Sequence, residues 1–179
     1  MSRFFLLAGA LLLTACSTSV TLNVHNGTDR PVQIGGLDAP LLVAPGDTAR
    51  VTGLRSIPSP LVATSDGAEV ERQTVPTPPA GGHAVWVVGG GACFAEADFG
   101  SYYGDLDVPA GAEVIGSITA TEHVYVSPGR VRAGPGQMLP KTARGAVHAL
   151  VQVPCQANQR GDALLRSWLE IKLLEIQPQ

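Results

Sequence analysis

Four histidines are the side chains of this sequence with the widest chemical range, because imidazole can bind metals and transfer protons near neutral pH. His25, His83, His123 and His148 each lie within or beside a segment with the pattern of a β-strand. None has a second histidine or a cysteine at the spacing of a zinc site, and no Gly-x-Ser-x-Gly nucleophile motif accompanies them. The sequence therefore predicts core-edge or surface histidines, with no catalytic residue and no metal site.

Two further segments have compositions associated with ligand binding. Asp98, Asp105 and Asp107 surround a glycine-containing loop, but no glutamate closes that loop as in an EF-hand, so a solvated acidic turn is predicted. The three glycines at 89–91 lack both the Lys-Ser/Thr of a phosphate loop and the spacing of a dinucleotide fingerprint. A glycine run at a strand end is typical of a bulge or of a close backbone approach.

Cysteine usage points to an exported protein. Cys93 and Cys155 form an even pair once Cys16 is set apart, and an even pair in an exported chain predicts a disulfide. A metal pair or a catalytic thiol are the alternatives, but neither cysteine has a histidine or a second cysteine within a few residues.

Length and composition exclude several classes of protein. The 179 residues carry 12 basic and 15 acidic side chains, for a net charge of −3, which gives no case for nucleic-acid binding. The sequence has no collagen repeat, no heptads and no apolar run near 20 residues, so fibrous and multi-pass membrane proteins are excluded. The mature length suits a single domain with a sizeable core.

The N-terminus has the layout of an export signal. Arg3 supplies a positive charge, residues 4–13 form a short apolar run, and Leu13-Thr14-Ala15-Cys16 follows. These last four residues resemble the lipobox of bacterial lipoproteins. The resemblance implies that residues 1–15 are a cleaved signal peptide, that Cys16 is acylated, and that 16–19 form a short tether to the membrane. An ordinary secretory signal with an incidental cysteine is the alternative.

The same resemblance implies a location. Ser17, rather than Asp, follows Cys16, and in Gram-negative lipoproteins of this kind serine there goes with release to the outer membrane. We therefore expect a lipid-anchored protein of the cell outer membrane, on its periplasmic face, since two or more acyl chains give stable anchoring.

The mature chain, residues 20–179, has the pattern of an all-β, antiparallel β-sandwich-like single domain, with short alternating runs separated by turn signals. Asn26-Gly27 predicts a hairpin turn, and the segment 74–82 predicts a proline-rich crossover. Near the C-terminus, Asp162 is a candidate cap of a short helix that leads into a strand over 169–176. The predicted strands are Thr21–His25, Val32–Ile34, Ala49–Val51, Leu61–Thr64, Val70–Val75, His83–Val88, Val114–Ile118, Val124–Val126 and Ala146–Val153.

Charge is unevenly distributed along the chain. Residues 93–122 contain six acids and no lysine or arginine, whereas 123–172 contain seven basic residues and two acids. Such blocks can pair within the fold, or they can lie on separate faces and steer a partner. In the second case Tyr102, Tyr103, Arg130 and Arg132 are the predicted partner contacts.

These features predict a non-enzymatic envelope lipoprotein, without a cofactor, that is an accessory or assembly component of a secretion, motility or export complex. Its partners would be the membrane, through the lipid, and an envelope protein. The alternative is a small-ligand or lipid-binding periplasmic lipoprotein with Trp86 or Trp168 at the mouth of an apolar cavity, although Trp86 also has the context of a buried central strand. A hydrolase is the least favoured interpretation, because no nucleophile motif is present.

Overall fold

A computed structural model describes residues 19–103, 113–139, 142–143 and 145–156. Cys16, Trp168 and the segments predicted to form a C-terminal helix and strand lie outside the described residues. Within them the protein is all-β, as predicted, with one short 3-10 helix at Gly100–Tyr103. The strands are β1 Val20–Asn26, β2 Val32–Gly35, β3 Leu41–Val43, β4 Thr48–Leu54, β5 Leu61–Ser65, β6 Ala68–Gln73, β7 His83–Val88, β8 Cys93–Asp98, β9 Glu113–Ile118, β10 Val124–Val126, β11 Val131–Ala133 and β12 His148–Val153.

The strands form three four-stranded sheets. The central sheet has the order β10-β7-β1-β4, the first outer sheet β3-β2-β5-β6, and the second outer sheet β11-β12-β8-β9. Pairing is antiparallel except for β1 with β7 and β11 with β12, which are parallel.

Alternation along β7 explains how the three sheets stack. Ala84, Trp86 and Val88 belong to a core shared with the first outer sheet. Val85 and Val87 point to the opposite side and pack with Phe94 and Leu150 of the second outer sheet. All six residues of β7 are buried, so the central sheet is covered on both faces. A fully buried valine or leucine side chain stabilises the fold by roughly 1.5–3 kcal/mol, which makes this strand the centre of the core.

The burial of β7 decides between the two interpretations of Trp86. Its side chain is 0% exposed, so it is a core residue of the central strand. The expectation that Trp86 stands at the mouth of a cavity is wrong, because both faces of its sheet are covered.

The hairpin predicted at Asn26-Gly27 is also wrong, because β1 and β2 belong to different sheets. The Asn26 side chain is buried and donates from Nδ2 to the carbonyl oxygens of Arg30 (2.7 Å) and Val43 (3.0 Å). Its Oδ1 accepts a hydrogen bond from the backbone N–H of Thr28 at 3.0 Å. These bonds turn the chain through a corner from the central sheet into the first outer sheet, where β2 pairs with β3 and β5.

Two proline- and glycine-rich segments have defined places in this arrangement. Residues 74–82 connect β6 of the first outer sheet to β7 of the central sheet. Residues 128–139 contain β11, whose Val131 and Ala133 are buried and which pairs in parallel with β12.

Candidate functional site

The predicted disulfide is present. Cys93 begins β8, Cys155 follows β12, and their sulfur atoms are bonded across a Cα–Cα distance of 5.2 Å. Cys93 is paired in register with Val153 in the β8–β12 ladder. The bond therefore closes the end of this strand pair, which is a structural position.

A buried polar network joins the second outer sheet to the central sheet. The Glu96 side chain on β8 is 0% exposed. Its Oε2 accepts a hydrogen bond from the Tyr125 hydroxyl at 2.9 Å, and its Oε1 lies 3.0 Å from His148 Nδ1. On the other side of the same imidazole, Nε2 is 4.0 Å from Asp98 Oδ2. The network runs from Tyr125 on β10 through Glu96 to His148 on β12.

Burial raises the pKa of two groups in this network. Burial raises the pKa of Glu96, although the hydrogen bonds from Tyr125 and His148 oppose that shift. Burial and the neighbouring Glu96 charge also raise the pKa of Tyr125 well above its ordinary value. The Glu96 carboxyl is fully enclosed by the protein, and its hydrogen bond from Tyr125 joins two sheets.

A second acid bridges the central sheet and the first outer sheet. Glu71 on β6 accepts hydrogen bonds from the Trp86 indole Nε1 at 2.8 Å and from the backbone N–H of Gly89 at 2.8 Å. His123 Nδ1 lies 2.9 Å from the same carboxylate. The indole of a buried tryptophan needs an acceptor, so Glu71 allows Trp86 to lie in the core.

A third polar pair lies within the central sheet. Asn23 Nδ2 donates to the carbonyl oxygen of Ala84 (3.1 Å) and lies 3.3 Å from His83 Nδ1. Burial, assisted by the positive charge of Arg50, lowers the pKa of His83 to about 4. Burial also lowers the pKa of His25, which bonds Thr48 Oγ1 through Nδ1 at 2.9 Å. His83 is therefore a neutral core histidine at physiological pH.

The remaining candidate residues occupy different environments. Arg130 and Arg132 are exposed, and their side chains have no ion pair within the residues that the structure describes. Tyr103 is half-buried and packs against the apolar outer side of the second outer sheet. The side chain of Tyr102 and both Asp105 and Asp107 lie outside the described part. Asp98 Oδ1 accepts hydrogen bonds from the backbone N–H groups of Gly100 (2.7 Å) and Val147 (2.8 Å), and so caps two segments.

The glycines at 89–91 mark a close approach, as expected. All three have positive φ, and a Cβ atom on Gly27 would overlap the carbonyl oxygen of Gly90. The Gly27 N–H donates to the Val88 carbonyl oxygen at 2.9 Å. Two backbone segments therefore cross here at a distance that only glycine allows.

The sandwich made by the central and first outer sheets has two distinct ends. At the end where β1 starts, the Gly81 N–H donates to Ser19 O (2.9 Å) and Val131 N–H to Gly81 O (3.1 Å). The Ile57 N–H donates to Thr77 Oγ1 at the same end. We call this the near end, formed by the loops at 36–40, 55–60, 74–82 and 127–130. The opposite end, the far end, is formed by the loops at 27–31, 44–47, 66–67, 89–92 and 119–123.

Each end has an open groove. The near-end groove has a volume of about 310 Å³ and is lined by Leu37, Asp38, Ala39, Pro40, Leu41, Val51 and Leu54. The far-end groove, of about 470 Å³, is more polar and includes His25, Asn26, Gln152 and the disulfide. The near-end groove is therefore suited to an apolar contact, whereas the far-end groove offers polar groups.

The described residues contain no group of three or more His, Cys, Asp or Glu side chains placed to hold a metal ion. Among the same residues, no helix has both the length and the hydrophobicity required to cross a bilayer.

Comparisons with protein-family models, with curated proteins and with solved structures find no match for this chain.

Sequence reasoning did not single out Glu96 and Glu71 as parts of polar networks. The signal for Glu96 is a charged residue between alanines in the run Phe94-Ala95-Glu96-Ala97. An acid in an apolar strand must be paired when buried. Glu71 gives no such signal, because its neighbours on β6 are themselves polar or exposed.

Proposed function

We propose that this chain is a lipid-anchored lipoprotein of the bacterial outer membrane without catalytic activity. In this proposal it is an accessory or assembly component of an envelope complex such as secretion, motility or export machinery. The lipobox-like Leu13-Thr14-Ala15-Cys16 supplies the anchor.

The observation that carries the proposal is the short distance between that anchor and the fold. Ser19 accepts a hydrogen bond from Gly81, and β1 begins at the next residue, Val20, which is buried in the central sheet. Three extended residues span about 10 Å. An acylated Cys16 would therefore hold the near end against the bilayer and leave the far end directed away from it.

The internal use of the polar side chains supports a non-enzymatic role. Glu96, Glu71 and His83 bind groups of their own fold, and their contacts join strands or sheets. A catalytic site needs reactive groups that reach a substrate.

The far end and the edge strand β11 are the surfaces that a protein partner would reach. The far-end loops carry four acids (Asp29, Asp47, Asp66 and Glu122) against one arginine, Arg30. Arg132 is exposed on β11. Complementary charge raises association rates and selects partners, so a partner with a basic patch suits the far end.

Site-specific crosslinking in cells tests this proposal. A photo-crosslinking amino acid is placed at Ala44 on the far end, at Arg132 on β11, or at Ala39 on the near end, each an exposed position. We expect one envelope protein to be recovered from Ala44 or Arg132, no protein from Ala39, and loss of the product when Cys16→Ala removes the anchor.

Failure to recover a protein from all three positions, while a known envelope complex is captured in the same cells, would contradict the accessory role. Native mass spectrometry of the protein extracted from membranes would then test the alternative. A retained small-molecule adduct would favour a ligand-binding lipoprotein, for which the polar far-end groove is the place to search.

A further inference from the structure

We infer that the near end is itself a membrane-docking surface that binds an anionic lipid bilayer and fixes the orientation of the domain on it. This inference rests on the proposed anchoring at Cys16 and goes beyond it. An anchor alone tethers the domain, whereas a docking surface decides which face of the domain meets the lipid.

The composition of the near end suits contact with lipid. Among the described residues of its four loops, the charged side chains are Asp38, Arg55 and Arg130, an excess of one positive charge. The exposed remainder is rich in proline and alanine, including Ala39, Pro40, Pro60, Pro76, Pro79 and Ala80. Interfacial binding grows with the apolar area inserted and with the attraction of cations to anionic lipids.

The near-end groove gives this surface an apolar recess beside a cation. Leu37, Leu41 and Leu54 are only partly buried where the sandwich opens between β3 and β4. Arg55, directly after Leu54, lines the adjoining groove of about 420 Å³ and is exposed. Apolar side chains next to an exposed arginine allow lipid tails and phosphate groups to be contacted together.

The position of the chain entry identifies a lipid surface as the occupant. Val20 at the start of β1 is paired with Leu54 of the groove. Cys16 precedes Ser19 by three residues, which can span at most about 10 Å, so bound acyl chains would enter the bilayer beside the groove. The far-end loops, with an excess of three negative charges (four acids against Arg30), lie at the opposite end and would be repelled by an anionic surface.

The test uses the full-length lipoprotein, extracted from membranes and reconstituted into vesicles of phosphatidylethanolamine and phosphatidylglycerol. Hydrogen–deuterium exchange is compared with that of the unlipidated Cys16→Ala chain in solution. We expect exchange to slow by roughly fivefold or more in the loops at 36–40 and 55–60, with no change in those at 27–31 and 44–47. Vesicles of phosphatidylcholine alone should give less protection, because the arginines lose their anionic partners.

Two matched variants separate docking from folding. Ala39→Asp with Arg55→Glu changes the near end, and Ala44→Asp with Arg30→Glu makes the same charge change at the far end, all at exposed positions. The near-end variant should lose the protection in vesicles, and the far-end variant should keep it. Circular dichroism and the intact disulfide verify that both variants fold.

The outcomes distinguish the docking surface from the anchor. Equal exchange in vesicles and in solution, or equal protection of the near and far ends, would overturn the docking inference. In that case the proposed function still stands if an intact-mass measurement shows that Cys16 is acylated. An unacylated Cys16 in protein extracted from membranes would overturn both.

Discussion

The hydroxyl of Tyr125, on an edge strand of the central sheet, donates a hydrogen bond of 2.9 Å to the fully buried carboxylate of Glu96 in the second outer sheet. This bond crosses the interface between the two sheets beside an apolar cluster that includes Phe94, Ile118 and Leu150. A polar bond in such a position fixes the relative placement of the two sheets, because an unpaired carboxyl there would be costly.

The raised pKa of Glu96 predicts that the free energy of unfolding decreases with rising pH. Burial raises its pKa above the ordinary 4.5, so the folded state retains a proton that the unfolded chain has released. The free energy of unfolding therefore falls as the pH rises above 4.5 and levels off beyond the folded-state pKa. The variant Glu96→Gln should lack this pH-dependent decrease in the free energy of unfolding. Tyr125→Phe removes a hydrogen bond that lowers the pKa of Glu96, so the decrease should be larger in that variant.

Urea unfolding of the three proteins between about pH 4 and pH 7 measures this difference. Apart from Tyr125, the titratable groups beside Glu96 are His148 and Asp98, and neither residue is substituted in the two variants. Parallel curves for wild type and Glu96→Gln would show that Glu96 does not carry the effect.

For His83 we expect the free energy of unfolding to change with pH in the opposite direction. Its folded-state pKa of about 4 lies below the ordinary histidine pKa of 6.5, so the unfolded chain binds a proton first on acidification. The contribution of His83 to the free energy of unfolding is fully present above pH 6.5. It decreases by up to roughly 3 kcal/mol as the pH falls towards 4. His83→Gln should remove this loss. An NMR titration that finds the imidazole protonated at about pH 6 in the folded state would exclude a depressed pKa.

We expect substitution of Glu71 to lower the free energy of unfolding by an amount that depends on the presence of Trp86. In Glu71→Ala the buried indole N–H loses its acceptor, and so does the Gly89 N–H, which should cost about 2–4 kcal/mol. In the Trp86→Phe background the same substitution should cost less, because no indole donor is left. A double-mutant cycle by thermal or urea unfolding measures the coupling, and strict additivity would contradict the proposed role.

We expect removal of the Cys93–Cys155 disulfide to lower the free energy of unfolding substantially. The disulfide closes a separation of 62 residues, and the chain-entropy model assigns about 4 kcal/mol to such a loop. The double variant Cys93→Ser/Cys155→Ser should unfold at a correspondingly lower urea concentration, and chemically reduced wild type should behave like it. An unchanged midpoint would mean that the covalent link adds little to the β8–β12 pairing.

Much of the fold follows from strand periodicity, and the missed elements have identifiable causes. The alternation of Val20, Leu22 and Val24 and the apolar run at 83–88 predict β1 and β7, because β-branched residues favour a pleated, buried strand. The strand β8 was not predicted: its alanines and acids have low strand propensity, and neighbours on both faces bury it. The strands β3 and β11, of three residues each, were not predicted either, because proline and glycine residues on both sides give each segment the composition of a loop.

The candidate sites were less predictable than the fold. The disulfide follows from counting cysteines, whereas the Glu96 network requires β8, β10 and β12 to come together. The Asn26-Gly27 pair has the sequence of a hairpin turn, but its asparagine donates both to the nearby carbonyl oxygen of Arg30 and to that of Val43 on β3, 17 residues along the chain. Local turn chemistry does not encode such distant acceptors.

The parallel pairing of β1 with β7 also has a kinetic consequence. The strands of the first outer sheet all lie within residues 32–73, and β1 can pair with β4 at Thr48–Leu54, whereas the pairing of β1 with β7 requires the chain to continue to His83. Closing so long a loop is entropically slow, and contacts of high sequence separation slow folding. We therefore expect the hairpins of the first outer sheet to form early, and the insertion of β7 beside β1 to be the late, rate-determining event that completes the core.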